Sequence, residues 1–287
     1  MTAVHHQGIK VKNVTVKYRN GHRALWDASF VIPDNTITGL VGINGAGKST
    51  LFKAIMGFLP LAKGMISIRG YTVSNALKNN LVSYVPQAEE VDWTFPILVK
   101  DVVMMGRYGH MGFFRQAGRD DFFAVEKALE RVGMAEYRDS QIGELSGGQR
   151  KRVFLARSIA QNSQIILLDE PFAGIDVQTE DKIISLLSEL RSEGRIMLVS
   201  THNLGSVAEF CDRTILIKGT ILNFGLTEDV FTSKNLEMAF GGVLRHFSLG
   251  GTDLHEDSDS REVSILSDDE RPFVQYGNIP LKVDKKI

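Results

Sequence analysis

Apolar and polar positions follow two periods along this chain, and the order in which the periods change predicts a fold. β-Branched and aromatic residues dominate 9–18 and 25–32, which reads as two strands around the turn Arg19-Asn20-Gly21-His22. Residues 37–41 read as a buried strand and lead straight into a glycine-rich segment. A helical pattern over 49–56 stops at Gly57. Two more strands are predicted at 65–68 and 81–85, the second ending at Pro86-Gln87. From 100 to 160 the helical period takes over, with helices at 100–107, 120–132 and 146–160. The second of these has acids in its first turn and Arg131 with Gly133 at its end, which suits the helix dipole and a left-handed cap. Alternation then returns as strand 165–168, helix 179–193 closed by Gly194, strand 196–200, and a hairpin over 214–224 turning at Gly219. A helical insertion inside alternating strands and helices predicts an α/β protein with a parallel sheet. Beyond about residue 242 the pattern fades. The stretch 251–270 has many carboxylates, several serines and one arginine, and predicts a weakly ordered segment or surface appendage.

The chemistry begins where strand 37–41 ends. Gly42, Asn44, Gly45, Ala46, Gly47, Lys48 and Ser49 spell a phosphate-binding loop, set between a strand and a helix as that motif requires. Its glycines let successive N–H groups face an anion, and the helix N-terminus adds its positive end. Lys48 is expected on the β- and γ-phosphates of ATP, Ser49 on Mg²⁺, and Thr50 as a further phosphate donor. The strand 165–168 delivers Asp169 and Glu170 to its C-terminal end, the edge at which ligands bind in open α/β sheets. Asp169 is expected to hold Mg²⁺, and Glu170 to orient or deprotonate the attacking water. His202 follows strand 196–200 to the same edge, where its ring could steady that water. About a hundred positions after the loop, Ser146-Gly147-Gly148-Gln149 opens a helix with a serine cap and glycine N–H groups, a second anion cradle.

Composition narrows the setting. In 287 residues, 43% hydrophobic content supports a real core, and a formal charge of −1 argues against a polyanion-binding surface covering the whole chain. No run of eighteen apolar residues exists and the first residues do not read as a secretory signal. Cys211 is the lone cysteine, so a reducing compartment fits. A soluble cytoplasmic protein is expected, with any membrane path in another chain.

The loop, the acidic strand end and Leu145-Ser146-Gly147-Gly148-Gln149 occur together and in the order that resembles the ATPase subunits of ABC transporters. The resemblance covers about 9–240. It implies a P-loop NTPase core with a parallel sheet, an antiparallel N-terminal β subdomain and an inserted α-helical subdomain at about 88–163. The ATP-binding domain would span 9–241, with an acidic extension over 242–287. The resemblance also implies that two copies pair head to tail, each signature completing the ATP site of the other. It places Tyr18 against the adenine, Gln87 on Mg²⁺ or the attacking water, and Asp176 at the contact between copies, where Ala173 stands in place of the usual serine.

Three longer strings, at 102–112, 200–206 and 239–247, look closest to the ATP-binding subunits of bacterial manganese and iron importers. That branch implies permease subunits, an extracytoplasmic metal-binding protein, and a peripheral position on the cytoplasmic face of the cell membrane. Trp93, Phe95 and Pro96 fall where the family receives a helix of the permease, although core packing suits them equally. His5, His6, His110, His246 and His255 lack recognisable ligand spacing and are not expected to bind metal directly. Zinc or a siderophore as cargo, and a non-transport assembly ATPase, stay open as alternatives. A small-molecule kinase would have no use for the second cradle.

Overall fold

The computed structural model describes residues 7–87 and 92–241, together with the backbones of three later strands. Strands β1 (Gln7–Lys17) and β2 (Arg23–Pro33) form an antiparallel hairpin, closed by the turn at Gly21, whose φ is +85°. With β4 (Lys63–Ile68) and β5 (Tyr71–Thr72) they make a four-stranded sheet in the order β2-β1-β4-β5. The hairpin register shifts at Asn13 and Asp27, both in left-handed backbone, so β1 and β2 are bulged rather than regular.

The second sheet has six strands in the order β10-β9-β3-β8-β7-β6. Its five parallel members are β3 (Ile37–Val41), β6 (Val82–Val85), β7 (Ile165–Asp169), β8 (Ile196–Thr201) and β9 (Arg213–Ile217), and β10 (Ile221–Leu226) closes one edge antiparallel. Every residue of β3, β7 and β8 is buried, which is why these segments are mostly apolar. Helix α1 (Lys48–Ile55) follows β3, and α2 (Val73–Lys78) follows β5. The helical insertion contains α3 (Val99–Met104), α4 (Arg119–Arg131) and α5 (Gly147–Ala160). The expected helix over 100–107 tightens into a 3-10 turn at Met105–Arg107, where Gly106 lies against the Arg157 carbonyl and leaves no room for a side chain. Helix α6 (Val177–Ser192) links β7 to β8, and α7 (Leu204–Phe210), α8 (Thr227–Val230) and α9 (Ser233–Phe240) complete the core.

Past residue 241 the backbones of β11 (Arg245–Leu249), β12 (Val263–Ser267) and β13 (Phe273–Tyr276) pair as an antiparallel sheet. β12 lies inside the acidic stretch read as a weakly ordered segment or a surface appendage. The two apolar alternates Val263 and Ile265 are too short a signal to outweigh the surrounding charge in a sequence reading.

Candidate functional site

Parallel register brings three strand ends together. Val41 pairs with Thr201, and Asp169 with Ser200, so Gly42, Glu170 and His202 leave the sheet at one edge. Gln87 lies two residues beyond Val85, which pairs with Leu168, and so belongs to the same edge.

The loop after β3 is shaped by what its glycines exclude. A Cβ on Gly42 would sit 2.3 Å from the Ile217 carbonyl oxygen. Gly47, at φ +103°, is the N-cap of α1 and supplies no side-chain acceptor. The first N–H groups of α1 therefore have no capping side chain, and no acid lies in that turn to repel an anion. Lys48 is buried and donates to the Gly42 carbonyl at 2.7 Å, crossing its own loop. Thr50 meets the Tyr18 hydroxyl at 3.0 Å, which sets the half-exposed Tyr18 ring beside the helix start and nearly parallel to His22.

Glu170 is 7% exposed and its backbone is left-handed, at φ +50°, a conformation that costs about 1–2 kcal/mol in a residue with a Cβ. Its N–H donates to both the Ser200 carbonyl (3.2 Å) and hydroxyl (3.0 Å), which hold the turn. The carboxylate spans two partners: Oε1 lies 3.4 Å from Lys48 Nζ and Oε2 lies 2.9 Å from His202 Nδ1. Burial raises the Glu170 pKa, but the His202 hydrogen bond and the Lys48 charge outweigh it and hold the group below the ordinary glutamate range. Asp169 goes the other way. Burial raises it and the Glu170 charge adds to the rise, against hydrogen bonds from Ser200, Ser49 and Tyr84. The Ser200 hydroxyl donates to Asp169 Oδ1 at 2.5 Å, and the Tyr84 hydroxyl to Oδ2 at 3.2 Å.

A second cluster lies at the start of α5. The Ser146 hydroxyl accepts from the Gln149 N–H (3.3 Å) while Gln149 Oε1 accepts from the Ser146 N–H (2.8 Å), a reciprocal capping box. Ser146 and Gly147 remain exposed. Gly148 packs on the first turn of α6, where a Cβ would lie 3.1 Å from Thr179 Cγ2. Asp176, exposed, caps α6 by accepting from the Thr179 N–H (3.0 Å) and hydroxyl (2.7 Å), bonds that keep its carboxyl below the usual range. Lys151 joins the two clusters by donating to the Glu170 carbonyl at 3.2 Å and to the Ala173 carbonyl.

The structure thus gathers Gly42, Asn44, Gly45, Ala46, Gly47, Lys48, Ser49, Thr50, Tyr18, Asp169, Glu170, His202 and Gln87 at one edge. It sets Ser146, Gly147, Gly148, Gln149 and Asp176 in a separate group. Sequence reading missed Ser200, Tyr84 and Lys151. Ser200 had a legible signal, being the first polar residue after the apolar run 196–199. The Trp93 ring packs edge-on against Phe154 with Arg150 above it, while Phe95 is 61% exposed beside a cleft of about 260 Å³ that both aromatics line. His110 is engaged with the Gln161 carbonyl at 2.8 Å. His5, His6, His255 and the His246 side chain lie outside the described residues.

A glycine loop closing on a helix N-terminus, beside a buried acid pair at the end of a neighbouring parallel strand, defines a P-loop nucleotide-binding protein. Comparison with known proteins narrows this. The family model described as ABC transporter matches residues 25–173. The chain is 59% identical over 268 residues to the chelated iron transport system membrane protein YfeB of Yersinia pestis, covering 93% of this chain and 90% of that protein. It is 57% identical over 235 residues to the manganese transport system ATP-binding protein MntA of Synechocystis, covering 82% and 90%. Among solved structures, an inward-facing metal-chelate type ABC transporter superposes with a TM-score of 0.75 at 27% identity, over 96% of this chain and 98% of that one. The dimeric post-hydrolysis ATP-binding cassette MJ0796 superposes with a TM-score of 0.67 at 27% identity, over 76% and 98%. The chain belongs to the ABC transporter family, as a nucleotide-binding, ATP-hydrolysing subunit. Among the described residues, no helix is long and apolar enough to cross a membrane.

Proposed function

We propose that this chain powers the import of manganese or iron through separate permease subunits, working as a head-to-tail pair on the cytoplasmic face of the cell membrane. An extracytoplasmic metal-binding protein would deliver the cargo. The named iron and manganese relatives support the cargo class. In this reading residues 9–241 are the ATPase unit, 88–163 its helical insertion, and 242–287 an appendage.

The observation that carries the reading is Glu170 held ionised between Lys48 and His202. The loop N–H groups and Lys48 bind the phosphates, and Thr50 adds a donor. Glu170 takes the proton of the attacking water as His202 fixes its carboxylate. Tyr18 stacks on the adenine. The Ser49 hydroxyl and the Asp169 carboxylate, already hydrogen-bonded to each other, are hard oxygen donors suited to Mg²⁺, and Gln87 is placed to add an amide oxygen. Mg²⁺, when bound, neutralises charge on the transferred phosphate. Ser146, Gly147, Gly148 and Gln149 of the partner copy close over the same nucleotide, and Asp176 meets that copy. The cleft beside Trp93 and Phe95 accepts a helix of the permease.

Two measurements test this. Glu170→Gln is expected to lower ATP turnover about a hundredfold or more while preserving an ATP-bound pair. Unaltered turnover removes Glu170 from its role. Uptake of labelled manganese and iron is expected to fall to background in cells whose only copy is Glu170→Gln. Undiminished uptake of both, with zinc uptake lost instead, contradicts the cargo.

A further inference from the structure

Glu180 is a carboxylate with 4% exposure that the hydrolytic mechanism does not use. It lies in the first turn of α6, and its N–H donates to the Asp176 carbonyl at 3.0 Å. Its Oε1 accepts the Ser206 hydroxyl at 2.5 Å. Ser206 is fully buried near the start of α7, and its N–H donates to the side chain of Asn203, the N-cap of that helix. The Asn203 N–H in turn donates to the buried Thr201 hydroxyl at 3.0 Å. Between Thr201 and Asn203 stands His202, whose Nδ1 meets Glu170. One path of hydrogen bonds therefore runs from the Asp176 carbonyl through Glu180 and Ser206 to the Asn203 amide and the Thr201 side chain, on either side of His202.

Burying a carboxylate is costly, and a neutral side chain could pack α6 on α7 without that cost. The position in a helix first turn offsets part of it through the helix dipole. The Glu180 side-chain oxygen gives a hydrogen bond between two helix starts, one beside the turn of Asp176 and the other beside His202.

We propose that Glu180, through Ser206, is a positioning residue that ties the Asp176 turn to His202. A second copy pressing on the Asp176 turn thereby sets the His202–Glu170 pair for hydrolysis. The inference rests on the proposed pairing of copies and on the role given to Glu170.

The test compares Glu180→Ala, Ser206→Ala and Glu180→Gln with the parent chain in steady-state ATP hydrolysis, with thermal unfolding as a check on folding. Removing either partner is expected to lower kcat about tenfold to a hundredfold, as misplacement of a reacting group does, with KM for ATP within about twofold. The double variant Glu180→Ala/Ser206→Ala is expected to be no slower than the worse single, because both remove one contact. Glu180→Gln keeps an acceptor for the Ser206 hydroxyl and is expected to recover kcat to within about threefold. Should Glu180→Ala fail to fold, Ser206→Ala, which loses one hydroxyl, decides the matter. Folded variants with kcat unchanged, a loss confined to KM, or multiplied losses in the double variant would overturn the proposal. Glu170→Gln separates the two failures: if it is inactive while Ser206→Ala is normal, only this inference falls.

Discussion

In the role proposed for it, Glu170 answers two opposed demands. A proton acceptor must be ionised near neutral pH, yet a site that excludes water penalises its charge. Lys48 and His202 resolve the conflict for Glu170, while its neighbour Asp169 is left with a raised pKa. A folded-state pKa raised above the unfolded value means that ionised Asp169 costs stability at neutral pH, a cost that disappears as pH falls and the group protonates. Asp169→Asn is therefore expected to raise the unfolding temperature at pH 7–8, with the gain shrinking as pH drops through the carboxylate range, while Mg²⁺-dependent hydrolysis is lost. Thermal unfolding across pH checks this, and a stability difference independent of pH would contradict it. Gly42 supplies a second residue-scale test. Its missing Cβ makes room for the Ile217 carbonyl, so Gly42→Ala must displace backbone. We expect a loss of about 1–3 kcal/mol in denaturant unfolding and weaker nucleotide binding by titration.

At the scale of elements, α5 is fixed to the edge of the parallel sheet by two side chains. Arg157 donates to the Tyr84 carbonyl at 2.8 Å and Gln161 to the Val82 carbonyl at 2.9 Å, covering the outer edge of β6. The guanidinium also lies over the Phe154 ring, 4.7 Å from its centre. Because Ser146 starts this helix and Tyr84 touches Asp169, the fastening sets the distance between the two clusters proposed to contact nucleotide. Arg157→Ala is expected to cost about 2–3 kcal/mol in unfolding free energy and to lower hydrolysis more than nucleotide binding. Equal stability of variant and parent would contradict this. None of it was legible in the sequence, where Arg157 reads as the polar face of a helix. The strands were legible, since β3, β7 and β8 are buried on both faces and are therefore mostly apolar. The short helices α2, α7 and α8 were not, because four to seven residues carry too few turns to show a period. The loop and acid pair could be read because local backbone geometry dictates their residues. Ser200 and Lys151 act across the fold, on partners 31 and 19–22 positions away, and local spacing does not show such contacts.

For the whole molecule, the decisive feature of the proposed reading is that the chain carries two kinds of phosphate-facing surface. One is the loop with Lys48, Asp169 and Glu170, and the other is the exposed cap of Ser146 and Gly147. In the pairing we propose, neither is a catalyst alone, and each nucleotide is clamped between the loop of one copy and the cap of the other. The most direct measurement is ATP hydrolysis per chain against protein concentration, with sedimentation in parallel to count copies. Specific activity is predicted to vanish where the chain is a monomer, to rise as pairs form, and to stay near zero at every concentration when Ser146 is replaced by arginine. A rate per chain that holds constant down into the monomeric range would contradict the account.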